Sequence, residues 1–104
     1  MKPVIILNMK SYREAMGDRI FDIFDIVEKV AREFPKIDFI ISPNVIYLNI
    51  LASKKQHSKV FSQHADPVPC GAYTGHLPIE VLKIINVDGT LINHSDKKVE
   101  THII

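Results

Sequence analysis

Asn8, Lys10 and His94 are the residues of this 104-residue chain whose types and placement could do chemistry. Each stands just beyond a short apolar run. Val4-Ile5-Ile6-Leu7 gives way to Asn8-Met9-Lys10, and Thr90-Leu91-Ile92 gives way to Asn93-His94-Ser95. A lysine ammonium leaning over the end of a strand can hold an anionic substrate as a point charge. Asn8 shares strand parity with Lys10, so it can orient that lysine and donate to a substrate oxygen. His94 is a candidate catalyst, although a histidine at a strand end, taken alone, is more often a solvated or hydrogen-bonded residue. A third stretch, Gly71-Ala72-Tyr73-Thr74-Gly75, is a glycine-flanked loop with Thr74 near its tip.

The apolar runs themselves predict the elements that carry these groups. Val4 to Leu7 and Phe39-Ile40-Ile41 are continuous, β-branched-rich runs suited to strands buried on both faces. Val60-Phe61 and Thr90-Leu91-Ile92 are shorter candidates, the second introduced by Gly89. Between the first two strands, Ile20, Ile23, Phe24, Val27, Val30, Ala31 and Phe34 recur at steps of three and four, with charged residues opposite, and Pro35 ends the helix. Its start is set either by Gly17-Asp18 or by a capping box from Ser11 to Glu14. A shorter helix is expected from about Asn44 to Ser53, with Val45, Leu48, Leu51 and Ala52 inward, and a third after Pro78.

The resulting order is βαβαβαβ. Helical crossovers between successive strands make the strands parallel and cover them with helices. A dinucleotide fold needs a glycine-rich turn after the first strand, yet no glycine appears before Gly17, and there is no phosphate-binding P-loop. The fold class expected is therefore α/β, a parallel (β/α) barrel segment. Its strand ends, including Ser42 and Ser62-Gln63-His64, point to one rim, where such barrels assemble active sites.

Composition narrows the function classes. With 46% hydrophobic and 24% charged residues, the chain reads as one ordinary globular unit. A net charge of +1, with bases and acids interspersed, offers no stripe for nucleic acid. No apolar run approaches membrane-spanning length, and Cys70 is the single cysteine, so a soluble cytoplasmic protein without an intrachain disulfide is expected. His57, His76 and His102 lack Cys or acidic partners at ligand spacing, so no metal is expected, and Cys70 reads as an inert thiol.

Taken in order, these stretches resemble the triosephosphate isomerase family, in particular its short archaeal-type branch. The likeness rests on Val4 to Lys10, on Phe61-Ser62-Gln63-His64-Ala65-Asp66-Pro67, on Gly71 to Gly75 and on Gly89 to Ser95, and it is collinear from about Pro3 to Lys98. It implies a TIM-barrel fragment, with residues 1–104 forming a single partial domain of about four of the eight βα strands. It also implies interconversion of dihydroxyacetone phosphate and glyceraldehyde 3-phosphate through an enediolate, with no cofactor, in glycolysis and gluconeogenesis. On the matching positions His94 would be a neutral electrophile beside a short helical turn from Ser95. Lys10 would stabilise the oxyanion and hold the triose phosphate, with Asn8 orienting both. Thr74 would contact a neighbouring subunit of a homo-oligomer, dimer or tetramer.

Two departures qualify the resemblance. Asp96 stands where the family generally carries glutamate, and its shorter reach is expected to weaken a link towards Asn8 and Lys10. The family's catalytic glutamate and glycine-rich phosphate loops belong to later strands, which the sequence through Ile104 does not reach. The 104-residue piece is accordingly expected to be inactive alone. Its alternatives are one chain of a split barrel or a non-catalytic half-barrel for binding or assembly.

Overall fold

In a computed structural model, which describes residues 1–103, the apolar runs form the expected parallel sheet. β1 (Val4–Asn8) pairs with β2 (Asp38–Ser42) in register from Val4 opposite Asp38 to Asn8 opposite Ser42. β3 (Lys59–Ser62) places Val60 opposite Ile41, and β4 (Gly89–Thr90) places Thr90 opposite Ser62. All pairings are parallel, in the order β1-β2-β3-β4. The molecule is thus α/β, as a segment of a TIM barrel would be.

Burial follows position in the sheet. Phe39, Ile40 and Ile41 of central β2 are buried, as a strand flanked on both sides requires. Val4, Ile5 and Ile6 of the edge strand β1 remain 43–52% exposed. β4 is shorter than the Thr90 to Ile92 run expected from sequence. Leu91 N–H still donates to the Ser62 carbonyl, but among the described residues no further strand pairs with Ile92, which stays exposed. Gly89 packs closely on Phe61, because a Cβ there would sit 2.7 Å from the ring and force it to shift.

The long helix α1 (Asp18–Glu33) lays Ile20, Phe24, Val27 and Ala31 on the sheet. It starts after Gly17, whose φ of 59° suits glycine. Ser11 is not part of a capping box, since its hydroxyl accepts from the Asn44 amide. Phe34 departs from the expected apolar face because it lies beyond the last helical residue, in non-helical geometry, and is exposed. α2 (Leu48–Lys54) buries Leu48, Leu51 and Ala52, as expected. Val45 instead points outward, because it lies in a tighter 3-10 turn, Val45–Tyr47, whose phase differs from that of the helix it leads into. α3 (Ile79–Ile84) follows Pro78 and buries Leu82. Among the described residues no helix is long and apolar enough to cross a membrane.

Candidate active site at the strand ends

The end of β1 is tied to its neighbours through the backbone. Met9 N–H donates to the Ser42 carbonyl at 2.9 Å, carrying the ladder one step past the strand. Lys10 then turns into a left-handed conformation at φ 49°, uncommon for a residue with a Cβ. Two side chains hold it there. Asn8 Oδ1 accepts the Lys10 backbone N–H at 2.9 Å, and Gln63 Nε2 donates to the Lys10 carbonyl at 2.8 Å. Gln63 also donates to the Ser42 carbonyl at 3.2 Å, so one amide from the end of β3 joins the ends of β1 and β2.

His94 is positioned by a tight loop after β4. Asn93 adopts φ 60°, and its Oδ1 accepts from Val99 N–H at 3.0 Å, which closes the loop. Inside it, Lys97 N–H donates to the His94 carbonyl at 2.8 Å, giving a hydrogen-bonded turn where a short helical turn was expected. The Asp96 backbone N–H donates to His94 Nδ1 at 3.0 Å. An accepting Nδ1 carries a lone pair, so the neutral ring bears its proton on Nε2. The Asp96 carboxylate lies 3.6 Å from the same Nδ1, a distance that would count as an ion pair only for a charged ring. The aligned backbone donor suits an Nδ1 that acts as acceptor.

These two structures face one cleft of about 330 Å³, lined by Asn8, Lys10, Gln63, Leu91, His94 and Asp96, among others. Lys10 Nζ stands 3.5 Å from Asp96 Oδ2 and 5.8 Å from the Tyr12 ring centre. Asp96 therefore reaches Lys10 despite its short side chain, although the link continues to the lysine and not to Asn8. With both partners well exposed, this pair is a weak tether that leaves the ammonium available to an anion. The cleft can offer an imidazole N–H donor and a cation to an anionic, carbonyl-bearing ligand. Asp96 is its only carboxylate among the described residues.

Thr74 is not brought to this cleft. It lies on an exposed loop and lines a second hollow of about 530 Å³ with Asn44, His64, Asp66 and His76. The two hollows share Gln63 and Lys97. A larger hollow, about 650 Å³, lies between α1 and the α2–β3 connection, but the Glu28 carboxylate in it is taken up by backbone donors, so size does not mark the chemistry.

Among the described residues no cluster of His, Cys, Asp and Glu could hold a metal. His102 pairs with Glu100 at 3.2 Å on the surface. The exposed Cys70 thiol is pushed up by partial desolvation and by Glu80, which accepts its hydrogen bond and adds negative charge, so thiolate is disfavoured. Gln63 and Lys97 were not marked as site residues by sequence reasoning. Gln63 could have been found from its place directly after β3, at the same rim as Asn8 and His94.

A sequence model described as triosephosphate isomerase matches residues 3–102. Similar curated proteins are the triosephosphate isomerases of the archaea Caldivirga maquilingensis, 38% identical over 92% of this chain, and Methanocaldococcus jannaschii, 36% identical over 91%. That of Saccharolobus solfataricus is 33% identical over 92% of the chain. The chain spans about two fifths of the length of these relatives, 41–42% of each.

Proposed function

Because the chain belongs to the triosephosphate isomerase family, we propose that it supplies the electrophilic half of an isomerase site for dihydroxyacetone phosphate and glyceraldehyde 3-phosphate. The observation that carries this reading is the Asp96 N–H donated to His94 Nδ1 at 3.0 Å, in the cleft that also holds Lys10 and Asn8. It leaves His94 Nε2–H free to donate to a substrate carbonyl. Transfer of the C1 proton of dihydroxyacetone phosphate to a base moves the electron pair through C2 onto the carbonyl oxygen, giving the enediolate. Shifting the C1 hydroxyl proton to the C2 oxygen and returning a proton to the C2 carbon forms the C1 aldehyde and yields glyceraldehyde 3-phosphate. Lys10, held by Asn8 and Gln63, stabilises the oxyanion and the phosphate-bearing substrate, since charge placed where charge develops is usually the largest catalytic contribution.

The base is a glutamate in this family, beside a water-excluding lid, and a neutral histidine is part of the same pattern of pKa tuning. Those features are taken from the family rather than from this chain, which is proposed to be inactive as a 104-residue piece. No cofactor or metal takes part. The complete protein is proposed to act in the cytoplasm, in glycolysis and gluconeogenesis, as a homo-oligomer in which Thr74 contacts the neighbouring subunit.

A chimaera tests the reading. Residues 3–98 replace the corresponding segment of the Methanocaldococcus relative, which supplies the rest of the barrel. We expect isomerase activity in a coupled assay, reduced about a hundredfold or more by His94→Gln. A folded chimaera with no activity, or one indifferent to His94→Gln, would overturn the assignment.

A further inference from the structure

We propose that Asp66, acting with His64, is a positioning residue that clamps the base of the Thr74 loop and so presents that loop for subunit contact. The proposal rests on reading Thr74 as an intersubunit contact. Residues 69–76 are all exposed. Within the loop the backbone bonds are Tyr73 N–H to the Gly71 carbonyl at 2.8 Å and His76 N–H to the Tyr73 carbonyl at 3.0 Å. Neither ties the loop to the sheet.

The tie is at its base. Asp66 N–H donates to the Leu77 carbonyl at 2.8 Å, and Leu77 N–H donates to Asp66 Oδ2 at 2.7 Å, closing the loop where the chain enters and leaves it. The other carboxylate oxygen, Oδ1, accepts from His64 Nε2 at 2.8 Å. His64 is in turn anchored by Ser62, whose hydroxyl donates to the His64 carbonyl and accepts its N–H. Ser62 is 1% exposed at the end of β3. A continuous path thus runs from the buried strand end, through an imidazole and a carboxylate, to both feet of the loop.

The surroundings favour an ionised clamp. The Asp66 carboxyl is held below its ordinary value by the Leu77 N–H, then by the His64 hydrogen bond, with the charges of His64 and His76 adding to it. The carboxylate is therefore present throughout the neutral range. A charge-assisted hydrogen bond is roughly twice as strong as a neutral one, which suits a single side chain bracing both feet of an exposed loop.

The test uses the natural-length polypeptide that carries this sequence. Hydrogen exchange reads the loop and sedimentation velocity reads association. Asp66→Ala is expected to speed exchange of the amides of residues 71–77 about tenfold or more and to weaken association about tenfold, with Ile40 and Ile41 as protected as before. Asp66→Asn can still accept from Leu77 N–H and pair with His64 but lacks the charge, and is expected to recover part of both properties, lying between Asp66→Ala and wild type. Should Asp66→Ala fail to fold, His64→Leu, which removes one of the two side-chain ties, is expected to speed loop exchange alone. Unchanged loop exchange in a folded Asp66→Ala, or no rescue by Asp66→Asn, would overturn the clamp. A wild-type protein that is monomeric with a protected loop would instead overturn the intersubunit role of Thr74 and leave the clamp standing.

Discussion

Lys10 combines a left-handed backbone with a long cationic side chain, a conformation that costs about 1–2 kcal/mol and persists only where neighbours hold it. Gln63 supplies much of that hold, through its bonds to the Lys10 and Ser42 carbonyls. Gln63→Leu in the natural-length polypeptide is expected to lower kcat about tenfold while the fold survives, because an unbraced Lys10 loses its fixed aim. Steady-state kinetics beside a thermal melt would check this, and an unchanged kcat would remove Gln63 from the site. That Asn8, Lys10 and His94 lie at one cleft was legible because each stands within a few residues of the end of an apolar run. The service of Gln63 to Lys10 was not legible, since it depends on a contact across 53 residues that only the assembled sheet creates. The hydrogen bond from Asp96 N–H to His94 Nδ1 was likewise not legible in the sequence.

Elements here are fixed to one another by single side chains spanning two segments. Glu28, on α1, accepts Gln56 N–H at 3.0 Å, His57 N–H at 2.8 Å and the Ser58 hydroxyl at 2.9 Å, with a longer bond from Ser58 N–H. It thereby stitches the α2–β3 connection to the long helix. Partial burial pushes its carboxyl up, but these hydrogen bonds outweigh burial and hold it below its ordinary 4.5. Because the folded value is the lower one, the stabilisation is fully present above that ordinary value and fades as pH falls through the depressed one. Glu28→Ala is expected to cost about 1–3 kcal/mol in urea unfolding at pH 7, with the gap to wild type narrowing at pH 3. Equal midpoints at pH 7 would contradict it. The strands and helices themselves were readable from apolar runs and from the three- and four-residue spacing in α1. The misplaced details, Val45 outward, Phe34 exposed and β4 cut short, all fall at element ends, where turn type and strand neighbours decide orientation and local pattern does not.

At the scale of the whole molecule the sheet is open. β1 and β4 are both edges, and Val4, Ile5, Ile6 and Ile92 expose apolar surface that a closed barrel would cover. The radius of gyration, 14.0 Å, slightly exceeds the about 13 Å typical of a compact domain of this size. Each ordered residue costs about 1–2 kcal/mol of backbone entropy, and an open sheet has less burial to set against it. The isolated 104-residue chain is therefore expected to associate or to lack fixed packing in sedimentation and near-ultraviolet circular dichroism. A monomer with a sharp cooperative melt would contradict this. The most direct test of the isomerase site is steady-state conversion of dihydroxyacetone phosphate by the natural-length polypeptide, beside its Lys10→Ala variant. The expected result is clear wild-type turnover, falling about a hundredfold or more in the variant with its melting temperature preserved. Turnover that survives the loss of the lysine, or a wild-type protein with none, would contradict the placement of the active site at these strand ends.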